Sequence, residues 1–170
     1  MQATEWTISQ HLTADRQAFV DVANRLSDEE FQRHTGDKWS VADVIQHLYL
    51  SARPVAKLMT GPREVLTQWG KADHHPKTYD QLAAEYSAVL ATGMKAPTPF
   101  VPRPEDMNAD KQVVIDRFTE VYRAVNDALA GWTEQELDEY CMPHPALGKL
   151  TVREMLYFIS IHTQHHLNRL

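Results

Sequence analysis

One stripe toward the C-terminal end of the chain constrains the fold more than any other feature. Val152, Met155, Ile159, His162, His166 and Arg169 recur at alternating spacings of three and four, the packing stripe of a helix in a bundle. The stripe begins apolar and turns to histidine, so His162 and His166 are expected to point inward rather than into water. At about 1.5 Å of rise per residue they stand one turn apart on one face, close enough to meet a single ion. His165 sits one position off this line and is expected to miss the site.

The rest of the chain reads as helices separated by punctuated loops. Ile8, Leu12, Phe19, Val22 and Leu26 form a first apolar stripe, and Ser27-Asp28-Glu29-Glu30 marks a cap with an acidic first turn. Ser40 is the natural N-cap of the next helix, with Asp43 three residues on. That helix carries Val41, Val44, Ile45, Leu48, Val55 and Leu58; Pro54 is expected to bend or divide it, and Gly61-Pro62 to end it. From Gly61 to Asp110 the pattern is irregular. Tyr79 to Leu90 predicts a helix, whereas Pro97, Pro99, Pro102 and Pro104 exclude a helix interior or a central strand. This stretch reads as an excursion that covers one end of the bundle. Val114, Phe118, Val121, Val125 and Leu129 restore the helical period up to Gly131. Thr133 with Glu136, and Thr151 with Glu154, are two further capping boxes. Between them, Cys141 to Lys149 reads as a loop holding Pro143, Pro145 and Gly148.

Alternation of period two is too weak anywhere to argue for a sheet. The expected fold is all-α: a four-helix bundle with additional short helices and a long irregular excursion, in one domain over residues 1–170. A chain of 170 residues that is 43% apolar can build such a core without staples.

Cys141 is the single cysteine, which excludes a disulfide within the chain and fits a reducing compartment. Met1 to Gln10 is polar and carries no leader pattern, and charged residues or histidine interrupt every apolar stretch before membrane-spanning length. The chain therefore reads as cytoplasmic with no membrane partner. With 17 basic and 23 acidic residues, a net charge of -6 and no Lys/Arg cluster, nucleic acid is not expected as a partner either.

Burying two neighbouring imidazoles needs a chemical reason. Charged, they would repel and lose hydration; neutral, each still needs a hydrogen-bond partner. A divalent ion resolves this by taking one nitrogen from each, and a third ligand is then expected from a neighbouring helix. His47, between Val44 and Leu48 on an otherwise apolar face, is the best candidate. Histidine pairs at this spacing also occur on ordinary surfaces, and a lone helical histidine is commonly structural; alignment on a core stripe is what favours metal.

Two segments carry a resemblance. Lys38-Trp39-Ser40-Val41-Ala42-Asp43-Val44-Ile45-Gln46-His47-Leu48 resembles the tryptophan-serine helix start, leading to a first histidine, of the DinB-like (DinB/YfiT) superfamily of metal-binding four-helix bundles. His162-Thr163-Gln164-His165-His166 resembles its closing His-x-x-His-His element. The resemblance implies that His47, His162 and His166 are the ligands and that His165 is the neighbour that does not bind. It implies zinc or nickel, with iron or manganese as other options, and a homodimer. Relatives include transferases using bacillithiol, mycothiol or glutathione, a maleylpyruvate isomerase of related fold, and hydrolases. This chain ends four residues after His166, where relatives continue the last helix.

Three imidazoles leave an open coordination position and a poorly compensated charge, which favours loss of a proton from bound water or thiol near neutral pH. The expected function is a divalent-metal-dependent enzyme that activates a small thiol for transfer to an electrophilic small molecule. Metal-dependent hydrolysis is the alternative, and a noncatalytic metal-binding or dimerising bundle is the rival from another class. Asp43, one turn before His47, is a candidate to orient that ring or act as a base, against a plain helix-start role. Tyr49, Tyr122 and Tyr157 are candidate pocket donors, with core packing as the competing role. Trp39 and Trp132 are expected to hold helix junctions. Cys141 is the weakest candidate, because it lies in a loop with no fixed relation to a base.

Overall fold

The computed structural model describes residues 3–170, with side chains from Thr7 onward, so part of the Met1–Gln10 segment read for a leader lies outside the described residues. In chain order the elements are α1 (Ala3–Arg25), α2 (Asp28–Gln32), α3 (Val41–Thr60), α4 (Arg63–Leu66), α5 (Tyr79–Ala91), α6 (Lys111–Ala128), α7 (Glu134–Glu139), β1 (Cys141–His144), β2 (Gly148–Thr151) and α8 (Val152–Leu167). Capping chemistry sets where they begin. Ser27 with Glu30, Ser40 with Asp43, Thr78 with Gln81, Thr133 with Glu136 and Thr151 with Glu154 all form reciprocal boxes. Each supplies acceptors for amides that the first helical turn leaves free.

The helices α1, α6, α3 and α8 adjoin in that cyclic order, which closes the four-helix bundle. Ile8, Leu12, Phe19 and Ala23 face the core from α1, and Phe118 is fully buried against Phe19 and Tyr122 at ring separations of 5.8 and 4.5 Å. Val22 is only half-buried, because the inward stripe of α1 passes through Ala23 instead. Asp15 also falls on that stripe; Ser160 Oγ donates to it at 2.6 Å and Gln164 Nε2 at 3.2 Å, tying α1 to α8. No helix among the described residues is long and apolar enough to cross a membrane.

One sequence expectation needs correction, and one of two alternatives at Pro54 is excluded. Pro54 does not divide α3, which runs continuously from Val41 to Thr60. Its apolar residues on both sides of the proline, Leu48, Ala52, Val55 and Met59, are buried, and packing along that face outweighs one missing backbone hydrogen bond. The segment Cys141 to Lys149 is not an irregular loop but most of an antiparallel hairpin, pairing Cys141 with Thr151 and His144 with Gly148. Four-residue strands are too short to show alternation. The turn is closed by His144, whose Nδ1 accepts from the backbone N–H groups of Ala146 and Leu147, both at 3.0 Å. Gly148 completes it at φ +75°, a conformation that suits glycine.

The excursion runs alongside α8. At the N-terminal end of α8, buried Glu154 accepts from the Lys77 N–H at 2.9 Å and from the Thr151 N–H at 2.8 Å, with His74 Nε2 donating at 2.7 Å. Further on, α5 packs against α8, and the 3-10 turn at Thr98–Phe100 reaches α3. Trp132 holds its junction as expected: its Nε1 donates to the Met59 carbonyl at 3.0 Å, and the Arg63 guanidinium lies 3.6 Å over its ring.

Candidate metal centre

Helical spacing places His162 and His166 on the inward face of α8, and α3 brings His47 opposite them. His47 Nε2 lies 3.0 Å from His162 Nε2, and His166 Nε2 lies 3.2 Å from the same atom. All three donor atoms fall within 4.8 Å of one another. Nitrogens each about 2.0–2.1 Å from a shared zinc ion would stand about 3.3 Å apart in a tetrahedral arrangement, so the donor set fits a divalent ion.

The orientation of His47 is settled by the excursion. Its Nδ1 lies 2.6 Å from the Phe100 carbonyl oxygen. A carbonyl only accepts, so Nδ1 carries the hydrogen and the Nε2 lone pair turns toward the other two rings. Metal-binding histidines are commonly fixed in this way through their remote nitrogen. Electrostatics act in the same direction. Burial holds His47 below its usual range against the opposing Phe100 hydrogen bond. Burial, reinforced by the other histidines, depresses His162 much further. His166 falls to about 3, chiefly through burial. All three rings are neutral at physiological pH, the state a ligand requires.

The structure brings Asp43 to different partners. Its Oδ2 accepts the Ser40 N–H at 3.1 Å and lies 2.6 Å from His34 Nε2, while the ring of His47 takes its orientation from Phe100. His165 stays outside the converging set, against Tyr86 at a ring separation of 5.7 Å. Tyr122 is buried with its hydroxyl 2.5 Å from Thr163 Oγ1, and burial raises its pKa. Tyr157 packs on Tyr79, and Tyr49 lies under Arg53. Cys141 is buried, its thiol pKa raised mainly by desolvation, and it is not part of the histidine cluster.

A cavity of about 740 Å³ opens onto the three histidines. Its apolar lining includes Leu58, Val89, Met142 and Phe158, together with exposed Met94. Several of its residues were not singled out from sequence as site residues. Trp39 does more than hold a junction, because its ring lies 5.0 Å from that of His47 and stacks on His166 at 6.5 Å. Phe158 stacks on His162 at 5.2 Å. Tyr86, on α5, meets His162 edge-on at 6.0 Å; its hydroxyl has no hydrogen-bond partner among the described residues, and burial pushes its pKa up to about 12. Tyr86 was legible only as one residue of the helix predicted over Tyr79 to Leu90, and the Phe100 carbonyl leaves no side-chain signal at all.

The hairpin beside this cavity carries a pH-dependent component. Burial pushes His144 down to about 4 from an ordinary 6.5. The unfolded chain therefore binds the extra proton first, and the neutral ring contributes fully above pH 6.5 and loses its contribution as pH falls toward 4. The ceiling is about 3 kcal/mol. In urea melts of the metal-free protein between pH 7.5 and 4.5, His144→Asn should show a shallower loss of stability than the unsubstituted chain. Parallel slopes would refute the assignment. Asparagine keeps an acceptor for the two turn amides but does not titrate.

Two comparisons bear on this centre. A family model described as the DinB superfamily matches residues 11–170. The chain is also 26% identical over 146 residues to the uncharacterized protein YuaE of Bacillus subtilis (strain 168), covering 85% of this chain and 83% of that protein.

Proposed function

The chain belongs to the DinB superfamily, and on that premise we propose that it is a divalent-metal-dependent enzyme that activates a small thiol for transfer to an electrophilic small molecule. The observation that carries this reading is the convergence of three Nε2 atoms, two from buried and one from a half-buried histidine, in the lining of an open cavity, with His47 committed through Nδ1 to Phe100. Members of this superfamily often bind divalent metals, and zinc or nickel suits an all-imidazole donor set, with iron or manganese also compatible. Once bound, the ion would act as a Lewis acid that lowers the pKa of a thiol or water at its open position.

The protein's own residues supply the rest. The neutral imidazoles of His47, His162 and His166 would hold the ion without cancelling its charge. Phe158 and Trp39 flank the histidines with apolar surface, which lowers the local dielectric and strengthens charge interactions at the centre. Tyr86 stays protonated and can donate a hydrogen bond to a developing negative charge beside His162. Because the cavity reaches all three histidines, an ion held by them would be open to an incoming molecule, which supports an enzyme over a closed structural site.

The test loads the protein separately with zinc, nickel, iron and manganese and supplies glutathione with 1-chloro-2,4-dinitrobenzene as a general electrophile. Further thiols and electrophiles follow, with an ester panel run in parallel. Conjugate formation at least about 100-fold above the metal-free protein is expected with one ion. Turnover of esters alone would replace the reading with hydrolysis. Stoichiometric metal with no turnover on either panel would leave a noncatalytic metal-binding bundle.

A further inference from the structure

The cavity has a lining whose charge is opposite to that of the chain as a whole. Among charged Asp, Glu, Lys and Arg side chains it is lined by Asp37, Lys38, Lys95 and Arg169, one acid against three bases, in a protein of net charge -6. Lys38 is committed, since its Nζ donates to the Arg169 carbonyl oxygen at 2.8 Å. The Lys95 ammonium and the Arg169 guanidinium have no hydrogen bond or ion pair with any described residue. Arg169 follows His166 by three residues, just past the end of α8, and Lys95 comes from the segment just beyond α5. The same lining includes apolar wall through Leu58, Val89 and Phe158.

We infer that the cavity takes an amphipathic substrate with an apolar body and one anionic group such as a carboxylate, the anion held by Lys95 and Arg169. This rests on reading the cavity as the substrate site, and it names the class of molecule that site selects. The volume is in the range that encloses most of an organic ligand of drug-like size, larger than a water or a simple thiol needs. Two cations without partners, facing such a space, favour an anion over a neutral ligand of the same shape. Arg169 can grip a carboxylate through two parallel N–H groups, while Lys95 acts as a point charge. The apolar wall supplies affinity, and the cations decide which end of the molecule stays outermost.

The experiment uses the neutral dye N-phenyl-1-naphthylamine as a reporter of the apolar wall. Decanoate and decan-1-ol then compete for it, in the full-length protein both loaded with zinc and after chelation. The readout is the ratio of the alcohol's to the carboxylate's half-displacement concentration. In a Lys95→Gln/Arg169→Gln double variant this ratio should fall about five-fold, since two exposed charge contacts are each worth under about 1 kcal/mol. The fall should appear in both metal states, and the affinity for the dye itself should not change. Both residues are exposed, so the fold is not at stake.

A ratio unchanged in the double variant would overturn the inference. So would a preference for decanoate seen only with zinc, because the ion alone would then hold the anion. Dye that fails to bind, or that decanoate and decanol fail to displace, would show that the wall is not a ligand site. Absence of thiol transfer would leave the result in chelated protein standing, so the two readings fail separately.

Discussion

Replacing His162 with alanine is expected to remove the metal from the protein. Protein purified without an affinity tag should carry about one divalent ion per chain, and His162→Ala less than about 0.1, as read by elemental mass spectrometry. His162 is the middle of the donor set, at 3.0 Å from His47 and 3.2 Å from His166, and it is buried. Without it, the two remaining nitrogens belong to different helices and have no third donor to close the site. If a bound ion is worth roughly 10 kcal/mol shared among three ligands, losing one weakens binding by about 10²- to 10³-fold. His165→Ala is the control and should keep its ion, since that ring lies outside the converging set.

The same substitution has a thermal signature. Metal present at about 1,000 times its dissociation constant stabilises the native state by about 4 kcal/mol, which raises the melting temperature of a chain this size by about 8–16 °C. Chelation should remove that increment from the unsubstituted protein and change nothing in His162→Ala. A variant that still holds one ion per chain, or whose melting temperature still responds to zinc as strongly as before, would refute the three-histidine centre.

The largest loss of stability outside the centre is expected from Glu154→Ala. Only 1% of Glu154 is exposed. Its carboxylate receives the backbone N–H groups of Thr151 and Lys77 and the ring of His74. Burial works against the charged form, but these donors outweigh it and hold the carboxyl below its ordinary range. Its contribution is therefore present above the ordinary carboxylate pKa and lost as pH falls through the lower folded value. Truncation leaves two amides and an imidazole without their acceptor, at a cost of about 3–5 kcal/mol. The expected drop in melting temperature is about 6–20 °C. Glu154→Gln should fall between, because an amide carbonyl can keep one of the donors. A change of under about 1 kcal/mol in urea melts of Glu154→Ala would sink the claim that this carboxylate pins the excursion to α8.

Much of the bundle was legible because its signals are local. The capping boxes at Ser40, Thr133 and Thr151 each join residues three apart, so they can be read without knowing the fold. The alternation of three and four marks one face of α8, and that face is buried from Val152 through Met155 and Ile159 to His162. Glu154 was also read from sequence, but only as the acid of a cap; its partners in the excursion are about 80 positions away. The hairpin at Cys141–His144 and Gly148–Thr151 was missed because strands this short carry little periodicity. Of the bend or break expected at Pro54, the break does not occur, because the packing that holds α3 continuous was not visible locally.

The candidate centre divides along the same line. That two histidines face inward from α8, and that His47 does so from α3, follows from helical periodicity and resemblance. Their meeting depends on how α3 and α8 pack, and the Phe100 carbonyl that turns His47 depends on the path of an irregular segment more than 50 positions away. Asp43 lies one turn from His47 in sequence, yet its carboxylate turns to Ser40 and His34. The two exposed cations in the cavity lining, Lys95 and Arg169, show no relation in sequence at all. The sequence by itself determined the helices, their buried faces and the residue types offered to a metal, because hydrogen bonding and side-chain period within a helix are short-range. Only the tertiary structure decided which rings share an ion, what orients them and what lines the space in front of them, because those depend on distances between segments that local chemistry does not encode.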